Sequence, residues 1–300
     1  MATTTSKLRV IAGAAIIVAG CAGRDDQQVT ATTNAALESA PTGVDEALQP
    51  PIESAEVYVT LESPREDCPA LVSAPCSGGY LVREVNRDGR MRTVSRFVSE
   101  LERGALEQAG GAGKGELLLR GHFGPAERRT SSAPFTILGA WRGLPGVEPS
   151  PLDRYVAVDS NGDRLEARLL NRGGEHPIGS VSVAGCAPRL VDPTWLTARV
   201  LGHGAIVAGR LDDGILEAGQ VFIRLPDYPG PCPGLRMLCG DRTATYERDA
   251  NHCLEPTGCV ERHFCPLFLP ECDPGYRLVS WASQPNGCAA FACDPAFLTQ

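Results

Sequence analysis

Cysteine crowding near the C-terminal end constrains this chain more than any other feature of its sequence. Twelve cysteines occur in 300 residues, and eight of them fall late in the chain: Cys232, Cys239, Cys253, Cys259, Cys265, Cys272, Cys288 and Cys293. In an exported protein such a cluster forms disulfides, and the spacing leaves the connectivity open. Aliphatic residues are sparse in this part, so we predict a small, loop-rich, disulfide-rich module over residues 230–300.

The N-terminal segment indicates that the chain is exported. Lys7 and Arg9 precede an apolar run over residues 10–18 that is too short to span a bilayer. The following Val18-Ala19-Gly20-Cys21 resembles the lipobox of bacterial lipoproteins. This resemblance implies that residues 1–20 are a signal peptide and that Cys21 carries the lipid, because two or more acyl chains anchor a protein stably.

The residues after Cys21 indicate in which membrane the protein is anchored and how it is attached. The resemblance to lipoproteins favours the outer membrane over the inner membrane, since Ala22 and not Asp follows the cysteine. The alternative is a soluble secreted protein that begins near Ala22. Residues 21–55 are rich in Ala, Thr, Pro and acidic residues and contain no aromatic residue, so we predict a disordered tether.

Strand patterns dominate the middle of the chain, residues 56–229. Two strands, a turn, a helix and two further strands follow one another in residues 56–145 and again in residues 152–226, and in the first set a strand at 91–98 returns after the turn to form a hairpin. We therefore predict an α+β fold that is mostly β, with two similar β-rich half-domains packed together and the small disulfide-rich module after them. The alternative is a single β-rich domain in which the recurrence is coincidental.

Two helices are predicted from their caps. Ser99 and Glu102 form an S-x-x-E capping box, and Gly110 follows as the stop signal. Asp192 before Pro193 is a favourable N-cap for the second helix.

The remaining cysteines lie outside the crowded region. We predict a fifth disulfide between Cys68 and Cys76, and a buried free thiol at Cys186. The aromatic residues of the module are expected to pack around its disulfides, with a ligand-stacking face as the alternative: Tyr246, Phe264, Phe268, Tyr276, Trp281, Phe291 and Phe297.

Two loops resemble ligand motifs but depart from them. Residues 110–115 are glycine-rich and contain Lys114, but Gly115 stands where a phosphate loop needs Ser or Thr. Residues 159–163 place oxygen ligands at alternate positions but lack the glycine and glutamate of an EF-hand. We interpret the first as a connecting loop and the second as a hairpin turn, with a weak calcium site as the alternative.

Metal and nucleophile motifs are also incomplete. No cysteines are spaced as C-x₂-C, and zinc binding aided by His252 or His263 is the alternative to disulfides. A thiol–imidazole pair of Cys186 with His176 or His203 is the remaining catalytic hypothesis. We predict no catalytic residue, no metal site and no cofactor.

Several segments together are similar to a family of uncharacterised secreted proteins and lipoproteins of myxobacteria and related high-GC bacteria. The matching segments are CSGGYLVREVN at 76–86, AWRG at 140–143, VDPTWL at 191–196, HGAIVAG at 203–209, and the cysteine-rich tail over 265–295. The family carries a domain of unknown function, so the resemblance implies no activity and no site residues.

Charge and composition limit the classes of binding partner that we expect. The formal net charge is −8 and no basic patch stands out, so nucleic acid is not an expected partner. We predict a non-enzymatic, lipid-anchored cell-envelope protein that contacts the membrane through Cys21 and binds a protein or glycan ligand. The alternatives are a disulfide-stapled protease inhibitor and a hydrolase of envelope polymers.

Overall fold

A computed structural model of the chain describes residues 55–63, 79–88, 90–126, 132–161, 164–202, 204–227, 232, 234 and 237–298. Three predictions lie outside these residues: the signal peptide with Cys21, the tether up to residue 54, and the Cys68–Cys76 disulfide. Within the described ranges the fold is mostly β, with fifteen strands and two helices. Neither of those helices has the length and apolar character needed to cross a membrane.

The first set of elements is β1 (Val57–Ser63), β2 (Tyr80–Glu84), β3 (Met91–Ser99), α1 (Arg103–Ala109), β4 (Leu117–Phe123) and β5 (Ala133–Gly143). The strands pair in the order β3-β2-β1-β4-β5, and β3 also pairs in parallel with β5, so the sheet curls into a barrel-like shape. One face of β1 lines the core, because Val57, Val59 and Leu61 alternate inward and are buried.

The second set comprises β6 (Arg154–Asn161), β7 (Arg164–Leu169), β8 (Glu175–Ile178), β9 (Ser180–Ser182), α2 (Pro193–Leu201), β10 (Ala205–Asp212) and β11 (Ile215–Leu225). These strands pair in the order β8-β7-β6-β10-β11, and β9 pairs in parallel with β11. A single residue, Gly179, separates β8 from β9, so the chain leaves β7 at this point and turns towards β11.

Strands β5 and β11 join the two sets into one sheet of eleven strands. They pair antiparallel, with Trp141 opposite Arg224 and Gly143 opposite Phe222. Beside this seam lies a second buried apolar cluster, apart from the main core: Val85, Leu118, Trp141, Leu170, Ile206, Ala208 and Phe222.

The two helices test the predicted caps. Asp192 caps α2 through its carboxylate, which accepts hydrogen bonds from the backbone N–H groups of Thr194 and Trp195. The capping box predicted for α1 is wrong, because Ser99 is the last residue of β3 and is held in the sheet opposite Ile137. Helix α1 begins at Arg103, and its N-cap residue makes no side-chain cap bond.

The C-terminal region contains four strands that the sequence analysis did not predict: β12 (Thr243–Arg248), β13 (Leu254–Val260), β14 (Tyr276–Ala282) and β15 (Ala289–Pro295). They form two antiparallel hairpins, β12-β13 and β14-β15. The predicted disulfides are present within residues 232–293, and they link Cys232 to Cys253, Cys239 to Cys259, Cys265 to Cys288, and Cys272 to Cys293. Cysteines one and three, and two and four, therefore pair in each hairpin.

The hairpins pack against the large sheet. The backbone N–H of Cys293 donates to Leu190 O at 2.8 Å, and the Tyr276 hydroxyl donates to Pro145 O at 3.3 Å. Phe297 and Leu298, just after β15, belong to the main apolar core. The end of the chain thus helps to build the core of the preceding region.

Candidate binding cleft

A cleft of about 850 Å³ opens between the start of α2 and the two hairpins. Its volume lies in the range that small-molecule sites occupy. Three aromatic residues, three charged residues and several small polar ones line it: Leu190, Val191, Asp192, Pro193, Tyr246, Glu247, Arg248, Thr257, Trp281, Ser283, Gln284, Ala290, Phe291 and Ala292.

Arg248 holds the polar wall of the cleft in place. Its side chain is 4% exposed and forms a bidentate pair with Asp294, at 2.8 Å from Nη1 to Oδ1 and 2.6 Å from Nη2 to Oδ2. Asp192 lies 4.0 Å from the same guanidinium. Since a buried charge needs both a counter-charge and hydrogen bonds, Arg248 is fixed as a structural group and also lines the site.

The aromatic wall comes from the second hairpin and from β12. Trp281 on β14 stands opposite Ala290 of β15, whereas Phe291 stands opposite Ser280, so the Trp281 and Phe291 side chains lie on opposite faces of this hairpin. Tyr246 lies on β12. Trp281 and Tyr246 are half-buried and line the cleft. The Arg248 guanidinium lies 5.6 Å from the centre of the Trp281 ring and orients it through a cation–π contact.

His252 lies behind the cleft, where its ring centre is 5.1 Å from that of Trp195. Burial lowers the pKa of His252 below its usual value, and the nearby Asp294 carboxylate only partly opposes this. Its Nε2 atom is buried and has no hydrogen-bond partner among the described residues. The geometry gives this imidazole a packing role in its neutral form.

Cys186 is a buried free thiol, as predicted. Burial raises the pKa of Cys186 to about 12, and the thiol donates to Val183 O at 3.4 Å. A cysteine acts as a nucleophile through its thiolate, which this environment disfavours. Among the described residues no histidine contacts it, His176 is exposed on β8, and His203 lies outside those residues.

A second surface feature lies between the two hairpins. Residues 261–273 form a segment without helix, strand or turn, here called the apolar loop, between Val260 of β13 and the start of β14. Its large apolar side chains project into solvent, with exposed fractions of 103%, 105%, 70% and 73% for Phe264, Leu267, Phe268 and Leu269. The prediction that Phe264 and Phe268 pack around the disulfides is therefore wrong.

The alternative metal sites find no support in the described part of the chain. Within it, no group of three or more His, Cys, Asp and Glu side chains is placed to hold a metal ion. Asp159 and Asn161 belong to a hairpin of β6 and β7, as predicted, with Asn161 opposite Arg164. Asp159 also faces the Arg168 guanidinium, at 3.4 Å.

Sequence reasoning missed the cleft because contacts between distant residues build it. Arg248 and Asp294 are 46 residues apart in the sequence, and no local pattern predicts such a contact. A detectable signal existed in the cysteine spacing, since six residues separate the first two cysteines of each hairpin and five or four separate the last two. That repeat indicates two copies of one disulfide-linked hairpin. It could therefore have predicted the strands that carry Tyr246 and Trp281.

Comparison with known proteins adds one relative. An uncharacterised protein of Dictyostelium discoideum is 29% identical to this chain over 243 residues, which covers 75% of the chain and 83% of that protein. No protein-family model matches the chain. No solved structure matches it either.

Proposed function

We propose that this chain is an exported, lipid-anchored envelope protein that binds a ligand in the cleft beside α2 and catalyses no reaction. The observation that carries the proposal is the cleft itself, with half-exposed aromatic rings beside a rigid, paired guanidinium. Four disulfides support export, because such bonds persist in oxidising compartments. Cys21 would carry the lipid, and the outer membrane is the favoured location.

The proposed domain organisation is a tether, two similar half-domains over 56–145 and 152–226, and the cysteine-rich module over 230–300. The strand order that recurs in the two sets of elements supports this duplication. When β8 and β9 are counted as one interrupted strand, each set has the order of a five-stranded Greek-key barrel of the OB type, with its helix between the third and fourth strands. That topology hosts many unrelated functions and assigns no ligand by itself.

The cleft favours a glycan over an extended peptide. A sugar ring offers an apolar face to an aromatic side chain and hydroxyl groups at its rim to polar ones. Trp281 and Tyr246 supply the aromatic faces, while Glu247, Thr257 and Gln284 supply polar groups at the same opening. A rigid frame reduces the entropy that binding would otherwise cost.

Two measurements test this function. The first screens the purified mature chain against an array of immobilised envelope glycans, with Trp281→Ala as the cleft variant and Phe264→Ser in the apolar loop as the control. We expect binding that Trp281→Ala weakens at least about tenfold and that the control leaves intact. Equal binding by the unmodified chain and both variants would show that the cleft is not the glycan-binding site.

The second measurement tests the anchor. Cys21→Ser should abolish palmitate labelling and detergent partitioning, because the thiol is the proposed acylation site. A labelled Cys21→Ser variant would exclude the proposed lipid attachment and leave the cleft unaffected.

The apolar loop favours a second candidate, a protease inhibitor. The loop contains no helix or strand from Phe264 to Leu269, and the disulfides of Cys265 and Cys272 tie it to β15 and to the segment just before it. A loop that is anchored in this way and exposes apolar side chains suits a protease cleft, because pre-organisation strengthens such binding. Inhibition of an apolar-specific protease that Phe268→Asp abolishes, and Trp281→Ala leaves unchanged, would favour this function over glycan binding.

A further inference from the structure

A second, smaller cavity of about 140 Å³ lies on the large sheet, away from the cleft. It is here called the arginine cavity. Strands of both sets contribute to it: Tyr58, Arg120, Trp141, Ala157, Asp159, Arg168, Ala205, Ile206 and Arg224. Its volume suits a small group and excludes a sugar ring with its substituents.

Three arginines from three different strands meet at this cavity. Arg120 on β4, Arg168 on β7 and Arg224 on β11 face two carboxylates. Arg168 is paired with Asp159, and the Arg120 Nε atom lies 3.8 Å from Glu56. The guanidinium of Arg224 has no acceptor in the described part of the chain, so one cation is in excess where the whole chain has a net charge of −8.

Two nitrogen atoms at the cavity also lack a partner at hydrogen-bond distance in the described ranges. The indole Nε1 of Trp141 and the Nε of Arg120 are buried, and neither has a hydrogen-bond partner among the described residues. Trp141 is only 6% exposed, so water reaches its ring poorly. A buried indole N–H normally has a partner, and one left without any is costly, so the Trp141 indole indicates a missing acceptor.

Strand register and a glycine place the Trp141 ring beside Arg224 and Arg120. Arg224 stands directly opposite Trp141 in the β5–β11 ladder, so both side chains share one face of the sheet. A Cβ atom at Gly139 would lie 3.0 Å from the Trp141 ring and 3.6 Å from the Arg120 Nε. The glycine therefore leaves the room that lets the indole lie beside that guanidinium.

We propose that the arginine cavity binds a tetrahedral oxyanion, namely a phosphate or sulfate group. Such a group presents oxygens in several directions, which suits guanidinium donors from three strands and an indole donor from a fourth. A carboxylate offers only two oxygens and would leave more of these donors unpaired. The site is independent of the cleft and of the lipid anchor.

The test uses the indole N–H signals of the mature chain in NMR spectra. The chain has three tryptophans, and Trp141→Phe identifies the Trp141 signal while keeping an aromatic ring in place. Titration with inorganic phosphate and with inorganic sulfate should shift that signal saturably, and chloride at matched ionic strength should not. Arg224→Gln should weaken the phosphate affinity about tenfold, as expected for loss of one charge-assisted hydrogen bond.

The control is Arg164→Gln, since Arg164 is an exposed arginine on β7 outside the cavity. It should leave the phosphate affinity unchanged. A sugar phosphate monoester that binds more tightly than inorganic phosphate would show that the group is carried on a larger molecule, and equal binding would indicate the free ion.

Two results would overturn the proposal. One is the absence of any saturable Trp141 shift with phosphate or sulfate. The other is an affinity that Arg164→Gln lowers as much as Arg224→Gln, which would indicate a diffuse charge effect. Because Arg224 is exposed, its variant tests the site without removing a buried side chain. Glycan binding at the cleft is read separately, from the Trp281 signal.

Discussion

Two asparagines join the two sets of strands. Each lies in one set and forms equivalent hydrogen bonds to the backbone of the other set. The Asn86 amide donates to Tyr155 O at 2.6 Å and Leu170 O at 2.9 Å, and accepts from Tyr155 N. The Asn171 amide makes the corresponding bonds to Tyr58 and Val85. Both residues have positive φ, 56° and 62°, which asparagine tolerates better than most residues.

Loss of either amide should destabilise the fold to a similar degree. Asn86→Gly and Asn171→Gly keep a residue that accepts positive φ, so each measures the lost hydrogen bonds and not backbone strain. We expect each variant to lower the free energy of unfolding by about 1–3 kcal/mol, since buried backbone groups lose their partners. Urea denaturation measures this, with the exposed Asn251→Gly as the control. A cost at one asparagine and none at the other would contradict the equivalence of the two contacts.

His252 should make the stability depend on pH. Burial lowers its pKa in the folded state, so the unfolded chain binds the proton more readily. The free energy of unfolding should therefore be highest above the unfolded pKa of about 6.5 and fall as the pH drops below it. His252→Asn, which tolerates the local φ of 63°, should flatten this fall between about pH 7 and pH 5. Denaturation at several pH values gives the slope, and an identical slope in the variant would rule out this group.

At the scale of elements, the two helices differ in how they begin. The Asp192 carboxylate caps α2, while Glu102 at the start of α1 makes no side-chain bond. Asp192→Ala should cost about 0.5–2 kcal/mol, and Glu102→Ala should have little effect. Asp192→Asn keeps a capping oxygen and removes the charge beside Arg248, so it separates capping from the ion pair. Thermal unfolding compares the three variants; equal losses for Asp192→Ala and Glu102→Ala would exclude a capping role.

Local patterns predicted the elements whose stability is local, and failed where distant contacts decide. The β2–β3 hairpin and the α2 cap follow from neighbouring residues, and the cysteine crowding predicted that eight cysteines are paired while leaving their partners open. Strand β8 has three exposed residues out of four and no alternation, so only its pairing with β7 makes it a strand. The hairpin strands have few aliphatic residues, and disulfides hold them instead. The donors of the arginine cavity come from strands far apart in the sequence, which no spacing rule brings together.

At the scale of the whole molecule, the residues just after β15 pack into the core that the earlier strands build. Phe297 and Leu298 are buried in the main apolar cluster, and the Arg142 guanidinium lies 4.9 Å from the Phe297 ring centre. The buried pair of Arg248 and Asp294 links the two hairpins to each other. The module is therefore attached to the sheet by packing and charge as well as by the chain, so changes in the hairpins reach the large sheet through the last residues.

Reduction of the disulfides tests how far this coupling extends. Each disulfide closes a loop of 20 to 23 residues. A crosslink of that span contributes about 3 kcal/mol. Without them the hairpins have too little apolar core to persist, so we expect β12 to β15 to lose protection from hydrogen exchange. Strands β1 to β11 should stay protected but unfold at a lower temperature, because Phe297 and Leu298 are released.

Removing one crosslink at a time sharpens this expectation. The double variant Cys232→Ala and Cys253→Ala should expose β12 and β13 and spare the packing of Phe297, while Cys272→Ala and Cys293→Ala should loosen β15 and lower the melting temperature of the large sheet further. Hydrogen exchange by mass spectrometry resolves the two hairpins. Loss of protection throughout β1 to β11 on reduction would mean that the sheet depends on the module for folding, and an unchanged melting temperature would mean that the C-terminal residues contribute nothing to its core.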